Sequence, residues 1–280
     1  MASTKGLFAR LTRRGPHRVL RGDLAFAGLP GVLYTPESGL GLPGVAFAHD
    51  WLTPAGNYTR TLEHLASWGI VVGAPATETT LAPSVLNLSY DLGTTLDILT
   101  GVRLGPGQIS VNPGKLGVAG HGFGGSAAVF AAAGLGGRLR AAAALFPTVS
   151  RPDATAPAAG LSTPGLILGA EEDTSSITAS TLELAAAWEA ATLRIVKKAA
   201  PRGLAEGRRL QSFAGLPGSD RRTQKTVRAL LTGYLLFTLT GDKTYRAFAD
   251  PEDDLPRTSL PSEEFVAGTP EEKFVALLKG

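Results

Sequence analysis

The segment Leu116-Gly117-Val118-Ala119-Gly120-His121-Gly122-Phe123-Gly124-Gly125 decides the fold. Its apolar start, 115–119, reads as a short buried strand, and the Ala-rich run 126–133 that follows reads as a helix. Between them, glycines at 120, 122, 124 and 125 allow a turn too sharp for ordinary side chains. A strand that turns abruptly into a helix is how open parallel sheets present a residue at the strand's carboxyl end, where such folds bind ligands. The residue at the tip of this turn is Gly122, which offers no side chain at all.

Outward from this turn, short β-rich runs alternate with helical patterns. That alternation predicts an α/β fold: a single doubly wound domain, its mostly parallel sheet covered by helices on both faces. Strands are expected at 19–26, 31–34, 44–48, 70–73, 115–119, 139–146, 165–169 and 193–196, about eight in all. Tyr58, Leu62 and Leu65 mark one helix, and Val85, Leu88, Leu92, Leu96 and Leu99 a second, each stepping by three or four. Further helices are expected at 182–191 and 222–239. Thr269-Pro270-Glu271-Glu272 has the form of a helix start, with a capping Thr, a first-turn Pro and an acid three residues after the cap. The expected organisation is a basic segment 1–18, a domain 19–249, and an acidic extension 250–280 ending in a short helix.

The bulk chemistry fits this reading. The chain of 280 residues is 44% hydrophobic and 18% charged, enough apolar material for one large core. It has no cysteine, which excludes disulfides, thiolate metal sites and cysteine nucleophiles. No apolar run reaches the ~18 residues of a membrane span, and no secretory leader is evident, so a cytoplasmic location is expected. The net charge of +3 is unevenly spread. Within 194–228 lie ten Lys and Arg against two acids, and Arg202, Arg208, Arg209, Arg221 and Arg222 are candidates for contact with an anionic partner. Only Phe213 interrupts this stretch with an aromatic ring, which argues against nucleic acid. The run 6–14, GLFARLTRR, is short, basic and amphipathic, and is read as a frayed terminus with at most weak contact to an anionic membrane surface.

Five stretches give the chain a recognisable likeness: GVLYTP at 31–36, AHDW at 48–51, WGIVVGAP at 68–75, GVAGHGFGG at 117–125 and TPGLILGAEEDT at 163–174. In this order they resemble the α/β-hydrolase superfamily, and within it the dienelactone hydrolase and bacterial cutinase-like branch. The resemblance implies a G-x-S-x-G nucleophile elbow at 120–124, an acid at Asp173 and a base histidine after the last parallel strand, near 200–202. It also implies two oxyanion donors, the backbone N–H groups of Trp51 and Phe123.

The departures change what the likeness implies. Gly122 stands where the family has serine, and no histidine follows His121. Nucleophile and base are therefore both missing, leaving Gly122 and Asp173 as vestiges of a triad that needs all three members. The expected function is that of a catalytically inactive homologue that binds a small ligand in the old substrate cleft or a protein partner. The rival expectations are an unconventional ester hydrolase and a peripheral anionic-surface binder. Neither a cofactor nor a metal is expected. His49 and His121, with Asp50 or Asp173, are conceivable metal ligands, but packing of His121 beneath the turn is the preferred reading. Asp50, Trp51, His121 and Phe123 form the expected cleft lining, Asp50 placing a negative charge at its mouth where the family usually has glycine. Ser126 is read as a packing residue, and Asp173 as the cap of a helix beginning near residue 175.

Overall fold

The computed structural model describes residues 3–174, 176–207 and 218–260. Among them a single nine-stranded sheet runs β1 (Val19–Asp23), β2 (Gly31–Pro36), β4 (Val71–Pro75), β3 (Gly39–Ala48), β5 (Ile109–His121), β6 (Leu139–Leu145), β7 (Gly165–Ala170), β8 (Ala191–Val196) and β9 (Thr258–Ser259) in spatial order. The pairings from β4 through β3 and on to β8 are parallel, and β1, β2 and β9 join antiparallel at the two edges.

The central strands are buried on both faces, which is why β6 (LRAAAAL) and β7 (GLILGA) read as unbroken apolar runs. The pleat then sorts their side chains. Val45, Phe47, Ala143, Leu145, Leu166 and Leu168 meet α1 (Thr4–Leu11), α2 (Thr59–Ser67) and α7 (Arg221–Thr240) on one face. Ala46, Ala48, Val118, Ala142, Ala144 and Ile167 meet α3 (Val85–Gly101), α4 (Phe123–Leu135), the single turn α5 (Thr155–Ala158) and α6 (Thr181–Ala187) on the other.

Several boundaries differ from the sequence reading. The first strand stops at Asp23, whose carboxylate accepts the N–H of Ala25 and starts a 3₁₀ turn, Leu24–Ala27. The helix expected at 182–191 ends at Ala187, because buried Trp188 turns the chain toward β8. The two-residue β9 is too short to leave a pattern. The helix start at 269–272 lies outside the described residues, as do Arg208 and Arg209.

The N-terminal reading is corrected outright. Residues 4–11 form an ordered helix, capped by the Ser3 hydroxyl, which accepts the N–H of Gly6. Leu7, Phe8 and Leu11 are buried in the core against α7. Three such side chains contribute roughly 1.5–3 kcal/mol each by leaving water, so the apolar face proposed for a membrane is already used inside the protein. Among the described residues no helix is long and apolar enough to cross a membrane.

Candidate functional site

The turn at Gly122 has φ 54° and ψ −118°, a backbone conformation that side chains with a Cβ resist. It is held from three sides. Gly122 donates its N–H to Leu145, and its carbonyl accepts from Gly125 and Thr148. The neighbouring glycines are required by close approach: a Cβ at Gly120 would lie 2.0 Å from the carbonyl oxygen of Gly124, and one at Gly124 would lie 2.4 Å from that of His49. The glycine frame read from the sequence is thus the contact surface between the elbow and the end of β3.

The space above Gly122 is filled by Asp50. A Cβ built on Gly122 would sit 2.1 Å from Asp50 Oδ1 and 2.4 Å from its Cγ. That same Oδ1 accepts two backbone hydrogen bonds, from Trp51 N–H at 2.8 Å and from Phe123 N–H at 2.9 Å. The two N–H groups expected to face the cleft therefore converge on one oxygen of the protein's own carboxylate. Charge-assisted bonds of this kind are stronger than neutral ones. Among the described residues Asp50 Oδ2 accepts no hydrogen bond, and it is not among the buried unpartnered atoms.

A buried polar chain supports this arrangement from below. The Tyr58 hydroxyl accepts the N–H of Asp50 at 3.1 Å and shares a hydrogen bond with His121 Nδ1 at 2.8 Å. His121 also meets Tyr58 and Phe146 edge-on, so it packs beneath the turn as expected. His49 lies between two backbone carbonyls, those of Asp50 (2.9 Å) and Thr77 (2.7 Å). Both of its ring nitrogens are occupied, and among the described residues no group of three or more His, Asp or Glu could hold a metal. Tyr58 and Thr77 are the members the sequence reading missed. Tyr58 looked like the first residue of a helical stripe, whereas it ends a 3₁₀ turn (Ala55–Tyr58) that aims its hydroxyl at the elbow.

The remaining candidates lie apart from this centre. Ser126 is buried and donates its hydroxyl to the carbonyl of Thr148, so it packs α4 on the sheet. Asp173 Oδ2 accepts from Ala170 N–H at 3.0 Å and from the Thr181 hydroxyl at 2.6 Å. Burial raises its carboxyl above the usual carboxylate range, opposed by those two hydrogen bonds and reinforced by Glu172 and Glu183. The helix it was expected to cap near 175 begins instead at Thr181, so Asp173 holds that helix by a side chain and not by its backbone.

The basic segment is also not one surface. Arg194 is fully buried and donates to the carbonyls of Asp253 (2.7 Å), Asp250 (2.5 Å) and Ala247 (3.2 Å). Arg202, Arg221 and Arg222 are exposed. The two described depressions lie elsewhere than the elbow. One, of about 460 Å³, is lined by Arg10, Arg13, Arg14 and Trp68, and the other, of about 640 Å³, by Asn57, Arg60, Glu206 and Arg221 among others. At the focus of the cleft, where the sequence reading expects a ligand, lies the carboxylate of Asp50.

The strand order, the parallel core and the glycine elbow between β5 and α4 define an α/β-hydrolase fold. A sequence model of the dienelactone hydrolase family matches residues 96–197, just over a third of the chain, from the second half of α3 to the residue after β8. Over that stretch the chain is similar to the dienelactone hydrolase family, within an α/β-hydrolase fold. No curated protein matches it.

Proposed function

We propose that this chain is a non-catalytic homologue of the dienelactone hydrolases that acts by binding. One observation carries the reading: Asp50 Oδ1 takes both the Trp51 and the Phe123 N–H directly above Gly122. In acyl-transfer enzymes of this fold, donors so placed stabilise the negative oxygen that develops on the substrate, while the elbow residue attacks. Here the donors are satisfied by a resident negative oxygen. A substrate oxygen would have to displace an ionised carboxylate, and nothing beneath it would attack.

The missing groups add to this. Gly122 has no nucleophile, no histidine follows His121 to move a proton, and Asp173 is engaged by Ala170 and Thr181. Losing one oxyanion donor costs roughly 10²–10³ in kcat, and losing a serine or histidine of a triad on the order of 10⁶. The test is labelling with a fluorophosphonate probe, read by intact-protein mass spectrometry, beside a panel of p-nitrophenyl esters from short to long acyl chains. No adduct and no turnover above a denatured control is the expected result. A stoichiometric adduct on any serine would overturn the proposal and favour the ester-hydrolase reading instead.

A further inference from the structure

The elbow mouth carries an unusual pairing of groups. Asp50 Oδ1 accepts two N–H donors, while among the described residues Oδ2 has no hydrogen-bond partner and is not buried. Among the described residues Asp50 forms no ion pair. Residues 61–102, which supply the adjoining loop and α3, contain no Lys or Arg. The other carboxylates of this region, Glu78 and Asp91, hold Ser84 N–H and the Thr77 hydroxyl. Among the described residues, therefore, the charge at the mouth is negative and lacks a counterion.

Beside it lies an apolar shelf. Trp51 is 50% exposed and Leu81 79% exposed, and the two are fastened together by the Trp51 indole N–H donating to the Leu81 carbonyl at 3.2 Å. Leu52, 48% exposed, has φ 51°, a strained conformation for a residue with a Cβ and one that gathers at functional sites. Single exposed apolar side chains are ordinary, but a neighbouring set next to an unpaired charge is not.

We propose that Asp50, Trp51 and Leu81 form a receptor for a small-molecule amine carried on an apolar body. This rests on the non-catalytic reading, because it uses the seat of the substrate oxygen for the chain's own carboxylate. The ammonium donates to Asp50 Oδ2, and the apolar body lies on the Trp51–Leu81 shelf, where the indole face adds attraction for a cation. The site has reversed its polarity. Donors that would hold an anion now orient an anion of the protein, which in turn selects cations and repels carboxylates.

The test uses the full chain, ¹⁵N-labelled, titrated with 2-phenylethylamine, 2-phenylethanol and 3-phenylpropionate as matched cation, neutral and anion. The amine is expected to shift the Trp51 indole and Phe123 amide signals saturably, leaving the buried Trp188 unmoved. The alcohol and the acid should bind at least tenfold more weakly. Asp50→Asn keeps an acceptor oxygen for both N–H groups but removes the charge, and should weaken the amine at least tenfold. Trp51→Ala, at a half-exposed position, should weaken it as well and serves if Asp50→Asn unfolds. An amine that gives no saturable shift, an acid that binds as well as the amine, or an amine affinity unchanged in either folded variant would overturn the proposal. Those failures leave the non-catalytic reading intact, whereas a fluorophosphonate adduct would end both.

Discussion

Replacing Gly122 by serine restores the residue found at this place in active relatives of the fold, and the structure predicts that it weakens the protein without reviving it. Two costs combine. A Cβ at φ 54° brings backbone strain of about 1–3 kcal/mol. The same Cβ would lie 2.1 Å from Asp50 Oδ1, so the carboxylate must swing away and surrender the Trp51 and Phe123 hydrogen bonds. Hydrogen bonds to charged groups are worth about 1.5–3 kcal/mol each, but Asp50 is only half-buried and water will replace part of the loss. The expected destabilisation is about 2–5 kcal/mol. Urea unfolding of the wild type, Gly122→Ser, Asp50→Ala and the double variant measures it as a cycle. In the Asp50→Ala background only the strain remains, so Gly122→Ser should cost less there, with a coupling of about 1–3 kcal/mol between the sites. A single variant within 0.5 kcal/mol of wild type, by the usual spread of neutral surface changes, would refute the overlap. So would an equal cost in both backgrounds. Esterase activity in the double variant would refute the argument from the missing imidazole.

Two other side chains make separable predictions. Burial, aided by the charge of Arg228 and opposed by a hydrogen bond with the Leu11 backbone, lowers His64 from 6.5 to about 4, and its Nε2 has no partner. Its folded form therefore binds its proton less readily than its unfolded form. The stability this contributes is complete above pH 6.5 and is lost as pH falls toward 4, by roughly 3 kcal/mol at the acid end. Denaturant midpoints between pH 7 and 4.5 should fall less steeply in His64→Leu, and parallel profiles would contradict the assignment. Arg194→Met should destabilise by about 1–3 kcal/mol, because it leaves three part-buried carbonyls to find water in place of their donors. Hydrogen exchange should rise across 247–253 in that variant, and an unchanged exchange map would show that Arg194 does not pin the segment.

The fold was legible because its signals are redundant. Buried parallel strands such as 165–169 declare themselves as apolar runs, and α3 declares itself through Leu88, Leu92, Leu96 and Leu99. The elbow was legible through glycines that close backbone approach demands. The sequence also pointed to Asp50, Trp51, His121 and Phe123 as neighbours, and the structure brings Asp50, Trp51 and Phe123 to one oxygen with His121 one hydrogen bond further, through Tyr58. What it did not reveal was that Asp50 folds back onto the two N–H groups. That depends on the side chain's direction over a position 72 residues away, which no local pattern encodes. The basic stretch misled for a similar reason. A run of charges suggests a surface, yet Arg194 is fully buried and its two terminal nitrogens donate to carbonyls from 247–253.

Asp50 and Gly122 are mutually entrenching. A serine cannot return to 122 while an aspartate occupies the space its Cβ would need, and the aspartate can rest there only because 122 has no side chain. Each residue makes replacement of the other unfavourable, so a serine at 122 is expected to pass through a weaker protein unless position 50 changes with it. Libraries that place a serine at 122 in this scaffold must change both positions together.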